Sequence, residues 1–184
     1  MYYYFVPLKA VAIILGVLTI ATRLPGVINP AWFREIARKF PRSVVPGIIF
    51  LTITLVWSVI IVNIANEEGM ALPKPAVIAF LFAIYIGMIV LRFDFLAVRG
   101  LAILLLFFAK ITVDSANQIE TPWRLVMTVL AYAWAIMGMW FTVSPYRMRD
   151  MIGWATLNES RTRALCALGC GFGVFFILLG VFAY

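Results

Sequence analysis

From Val44 to Ile64 the chain reads VVPGIIFLTITLVWSVIIVNI, without one charged residue. A helix of about 20 apolar residues crosses the hydrocarbon core of a bilayer, and a run this long fits that better than any element of a soluble domain. It is one of six. The others run from about Tyr4 to Ala21, Pro75 to Leu91, Phe95 to Asp114, Pro122 to Val143, and Ala164 to Tyr184. In lipid every backbone polar group must be satisfied within its own segment, so each run is predicted to be helical. Pro46, Pro75 and Pro122 fall in first turns, where a missing N–H costs least. Only RFDF separates the third and fourth runs, which requires a tight helical hairpin.

Composition agrees. The 184 residues are 65% hydrophobic and 12% charged, with a mean hydropathy of +1.04. Soluble proteins must cover their surface with polar atoms and do not reach such values. The expected fold is an all-α integral membrane protein forming a single transmembrane domain over residues 1–184. MYYYFVPLKA lacks a basic segment before its aromatics, so the first run is expected to be a retained span and not a cleaved signal peptide.

Charge sets the expected orientation. Arg23, Arg34, Arg38, Lys39 and Arg42 follow the first span, Arg92 and Arg99 flank the tight turn, and Arg147, Arg149, Arg161 and Arg163 fill the last loop. With six spans these segments share one side. Of the 15 basic residues that leaves only Lys9, Lys74, Lys110 and Arg124 for the other. Acids divide evenly between the sides, so the asymmetry is one of Lys and Arg, the signature of a cytoplasmic face. The expectation is a multi-pass protein of an inner (cytoplasmic) membrane with both termini on the outer side. The net charge of +7 then reflects topology together with contact to anionic phospholipid headgroups through Arg34, Arg38, Lys39, Arg147, Arg149, Arg161 and Arg163. A nucleic-acid partner would need a polar domain, and none is expected.

One polar phrase occurs twice: NPAWFREI at 29–36 and SPYRMRDM at 144–151. Asn29 and Ser144 are good helix N-caps, and Pro30 and Pro145 then take the first helical position. The first copy sets Trp32, Phe33, Ile36 and Phe40 opposite Arg34, Arg38 and Lys39. The second sets Met148, Met151, Ile152 and Trp154 opposite Arg147, Arg149 and Asp150. Both are predicted to be short amphipathic helices in the membrane interface. Each joins two spans, so units 4–64 and 122–184 read as a parallel repeat flanking a central hairpin at 75–116. A capped basic loop beside any membrane would look similar.

Chemistry-bearing residues are few. There is no histidine, the residue that most often ligates metals and relays protons. Cys166 and Cys170 lie four apart, with no carboxylate or imidazole nearby to complete a metal site, and their helical spacing strains a disulfide. They read better as part of a small-residue stripe, Cys166, Gly169, Cys170, Gly173 and Gly180, along which another helix packs closely. Lys110, Asp114 and Asn117 share a helix face near the outer end, and Lys9 lies at a similar depth in the first span. These four form either a polar vestibule or a pair reaching toward the headgroups. Aromatics such as Phe80, Phe82, Trp134 and Trp140 suit plain packing, and no cofactor is expected.

The resulting expectation is a non-catalytic subunit, scaffold or assembly factor of a larger inner-membrane complex, partnered by other membrane subunits or by itself. A small oligomeric transporter or channel is the alternative. A lipid-acting enzyme comes third, because Ser58, Ser144 and Ser160 have no evident activating base.

Overall fold

The structure, a computed structural model, describes residues 6–64, 73–90 and 94–184. Among the described residues eight α-helices run in the order α1 (Leu8–Ile28), α2 (Pro30–Lys39), α3 (Val44–Ile64), α4 (Lys74–Val90), α5 (Leu96–Ala116), α6 (Arg124–Val143), α7 (Tyr146–Ala155) and α8 (Glu159–Phe182), with a 3-10 turn at Phe40–Arg42. Five of them, α1, α3, α5, α6 and α8, are long and apolar enough to cross a membrane. The third expected span is shorter than these, the 17-residue α4. Residues 91–93 of its hairpin lie outside the described residues, as do 1–5 and 65–72. The hairpin turn ends at Phe95, which takes a left-handed conformation (φ 60°).

Two helix limits differ from the expected ones. The first span does not stop near Ala21, because α1 continues past Arg23 and through Pro25 to Ile28. Pro25 removes one backbone donor in the last two turns without ending the helix. The residue that ends it is Asn29, at φ −130° and ψ 84°. Pro30 disfavours the α conformation in the residue before it, and Asn29 is free to leave the helix because it caps the next one. The same chemistry ends α6, where Ser144 precedes Pro145 and adopts φ −130° and ψ 71°. At the other limit, α8 begins at Glu159, five residues ahead of the apolar run. A carboxylate in a first turn complements the positive end of the helix dipole.

The twice-written phrase is therefore a corner. Asn29 and Ser144 each donate their N–H back into the preceding long helix, to Pro25 O and Trp140 O, before the chain turns into a short one. Asn29 then caps α2 as expected, its Oδ1 accepting from Trp32 N at 3.2 Å. Ser144 makes no such side-chain cap: Pro145 takes the cap position and α7 starts at Tyr146, one residue later than expected.

α5 is the hub, packing against α1, α3 and α6. α1 pairs with α8 along its whole length and antiparallel to it, from Lys9 beside Gly180 to Gly26 beside Cys166. α4 leans on α3 from outside. It buries no residue completely, and one of its contacts is a hydroxyl pair, Thr52 with Tyr85 at 2.9 Å. The expected central hairpin is thus splayed around α3, since α3 packs on both of its helices.

Two apolar clusters hold the ends together. At one end Leu8, Val11, Ala12 and Leu15 of α1 meet Ala116, Met127, Phe176 and Leu179. At the other, Val98 and Ala102 of α5 pack with Phe141, and Met148 of α7 closes over them. This second end also carries α2 and the corner between α7 and α8, so it gathers the arginine-rich segments and is called here the basic end.

Candidate functional site

The most elaborate polar structure lies at the basic end, where α7 stops. The last carbonyls of a helix have no partners within it and carry the negative end of its dipole. Here side chains from α2 and α8 supply them. Arg34 and Arg38 stand one turn apart, so both guanidinium groups leave the same face of α2. Arg34 donates from Nε to Thr156 O at 2.9 Å and from Nη2 to Leu157 O at 3.0 Å. Arg38 donates from Nη2 to Thr156 O at 2.7 Å and from Nε to Thr156 Oγ1 at 3.0 Å.

Thr156 is 3% exposed and its hydroxyl donates onward to Ile152 O at 2.7 Å. From α8, Thr162 Oγ1 reaches Ala155 O and Asn158 O, and Arg161 Nη1 lies 3.4 Å from Trp154 O. Glu159 adds a carboxylate 3.6 Å from Arg34 Nη1. Residues about two-thirds of the chain apart are thereby stapled together. Hydrogen bonds from charged donors contribute about 1.5–3 kcal/mol when shielded from water.

This changes the roles of the expected headgroup contacts. Arg34 and Arg38 bind the protein's own backbone. Lys39 pairs with Glu35, whose carboxyl it holds below the usual range by hydrogen bond and charge, and Arg149 pairs with Asp150 at 2.9 Å. Arg147 lies over the Tyr146 ring at 5.6 Å, Arg161 lies over the exposed Trp154 ring at 5.0 Å, and Arg163 is exposed. The apolar faces of the two short helices are only partly open. Trp32, Ile36, Met151 and Trp154 are exposed, while Phe33 packs beside Gly26 of α1.

At the opposite end Lys110 Nζ donates to Asp114 Oδ2 at 2.6 Å, with both side chains about half exposed. Asn117 follows on the next turn and is exposed, as is Lys9 on α1. The four expected vestibule residues therefore lie on the outside of the bundle. What does join α1 and α5 here is Ser115, buried, with its Oγ donating to Val6 O at 2.7 Å.

The small-residue stripe of α8 faces α1 of the same chain. A Cβ on Gly173 would come within 2.9 Å of Gly16 O, and one on Gly16 within 2.6 Å of Gly173 O, so the two backbones touch. Gly180 stands over the Lys9 carbonyl, Cys166 is buried against Gly26, and Gly169 meets the aliphatic part of Arg23. Cys166 and Cys170 are free thiols. Among the described residues there is no cluster of three or more candidate metal ligands.

Neither Thr156 nor Gly16 stands out in the sequence. Gly16 is one glycine in an apolar run, and Thr156 gains its importance only when α2 folds against it. A small residue facing GCGFG across an antiparallel pair was the one available signal.

Compared with protein-family models, curated proteins and solved structures, the chain matches none. Fold and composition together define its class: an all-α protein of membrane type, built on five long apolar helices.

Proposed function

We propose that this chain is a non-catalytic integral membrane subunit, scaffold or assembly factor of a larger inner-membrane complex. The observation that carries this reading is the engagement of the hydroxyl groups within the long helices. Thr19, Thr54, Ser58, Thr112, Thr128 and Thr142 each donate to the carbonyl four residues earlier in their own helix. Groups that would line a transport path or serve as nucleophiles are thus turned into their own backbones. The stapled basic end supports the same reading, since it ties α2 to the corner between α7 and α8.

A small oligomeric transporter is the second reading, favoured by the ion pair of Lys110 and Asp114, because charges within a span commonly mark an ion or substrate route. The two readings part on substitution. If the pair is structural, Lys110→Met or Asp114→Leu alone lowers stability or yield, and the double variant recovers much of the loss. That recovery is expected, with no activity lost. Flux through reconstituted vesicles that vanishes in a well-folded double variant would establish transport instead.

The topology that goes with the proposal has six crossings, the basic end in the cytoplasm and both termini outside. At about 1.5 Å per residue α4 reaches roughly 25 Å, short of the full hydrocarbon core, so it needs local thinning of the bilayer. The matching backbone corners at Asn29 and Ser144 support a parallel repeat. In a background lacking Cys166 and Cys170, cysteines placed at Gly69 and Gln118 should react with an impermeant reagent on whole cells, and one at Ser160 should not. The reverse pattern would invert the topology.

A further inference from the structure

We propose that the corner between α7 and α8 is a binding site for one anionic phospholipid, with its phosphate on Arg161 and its acyl chains along α8. Arg161, Leu168, Phe172 and Phe175 stand at i, i+7, i+11 and i+14, within about 60° of arc on a helix of 3.6 residues per turn. Leu168 is 61% and Phe172 60% exposed, so the stripe below the arginine is open to lipid. Above it the guanidinium lies against Trp154, itself 58% exposed. Among the described residues its one hydrogen bond is long, 3.4 Å to Trp154 O.

A planar cation held on an aromatic face keeps its remaining N–H donors aimed outward, in the geometry that grips phosphate oxygens. Tryptophan prefers the headgroup level, which places this clamp at the height of a lipid phosphate. Arg163, two residues on, is also exposed. By contrast Arg34 and Arg38 spend their donors on Thr156 and Leu157, and Arg149 is matched by Asp150. Arg161 combines an aromatic clamp with an exposed apolar stripe beneath it.

The test uses the full chain in detergent, stripped of lipid and titrated with phosphatidylglycerol or phosphatidylcholine, with bound species resolved by native mass spectrometry. The first phosphatidylglycerol should bind about fivefold more tightly than the first phosphatidylcholine, the effect of one arginine at a charged surface. Arg161→Gln and Trp154→Leu should each bring the two lipids close to parity. Arg42→Gln, which removes an equal charge from the 3-10 turn, should leave the preference intact. Should Arg161→Gln fail to fold, Trp154→Leu decides alone.

Equal binding of the two lipids by the wild type, or an undiminished preference in Arg161→Gln, would overturn the site. An equal loss in Arg42→Gln would replace it with diffuse attraction to the whole basic end. Displacement of the lipid by millimolar inorganic phosphate would make it a free-phosphate site. If the wild type holds a second copy or another chain and takes up lipid only after its release, the face is a protein interface and the proposal fails.

Discussion

Gly16→Leu and Gly173→Leu should each separate α1 from α8 and cost about 3 kcal/mol or more, toward the upper end of what overpacking costs. The atoms in the way are the carbonyl oxygen of the facing glycine and a branch carbon of a packed isoleucine, Ile177 for Gly16 and Ile20 for Gly173, none of them the far end of a long flexible side chain. They can yield only if the helices move apart, and in a membrane close van der Waals contact is what holds helices together. Gly169→Leu should cost less, because the Arg23 side chain it meets can swing aside. Gly171→Leu should be close to neutral, since nothing lies within 4 Å of a Cβ there. Reversible unfolding in mixed micelles with increasing denaturing detergent measures all four. Equal loss at Gly171 and Gly173 would show that the α1–α8 contact is not set by the glycine backbone. Because the stripe is consumed inside the chain, the instability should appear in the isolated protein.

Removing the staple at the end of α7 should be the next largest effect. Arg34→Ala together with Arg38→Ala leaves the buried Thr156 O and the exposed Leu157 O without their donors, and the pair should cost about 2 kcal/mol, mostly at Thr156. The loss should be local: amide hydrogens of α7 exchange faster, while those of α5 and α6 keep their protection. Thr156→Val should reproduce part of it by removing the hydroxyl that accepts from Arg38 and donates to Ile152. Lys substitutions should not rescue, because an ammonium cannot span two carbonyls as a guanidinium fork does. Unchanged exchange in α7 after loss of both arginines would mean that packing against α6 and α8 already holds the helix.

These two results also mark where reading the residues in order stops being enough. The small-residue spacing in α8 pointed to a close helix contact, but a spacing cannot name its partner. An outside subunit and α1 were equally compatible with it, and the antiparallel register between α1 and α8 is a fact of packing. Arg34 and Arg38 present the same difficulty in polar form. Basic residues on an amphipathic helix next to a membrane predict headgroup contact by default. That expectation gives way only because the end of α7, more than a hundred residues later, presents carbonyls at hydrogen-bonding distance. Of the polar set, Lys9 lies on α1 and Lys110 and Asp114 on α5, with Asn117 just past its end. The exposure of the set depended on how α5 rotates among α1, α3 and α6.

What the sequence determined by itself is everything that follows from local physical chemistry. Long uncharged runs must be helices if lipid surrounds them, because only a helix satisfies its own backbone. Asn29–Pro30 and Ser144–Pro145 are favoured break points, because proline disfavours the α conformation in the residue before it and Asn and Ser suit helix caps. Tertiary structure alone decided which faces meet: α8 against α1 at Gly16 and Gly173, α4 outside α3, and α2 clamped to the end of α7. Apolar periodicity barely distinguishes one face from another on helices that are apolar all round, so it carries little information about neighbours. Partner choice in such a bundle rests on backbone approach at a few glycines and on a few polar groups that cannot be left unpaired, and both depend on residues far apart in the chain.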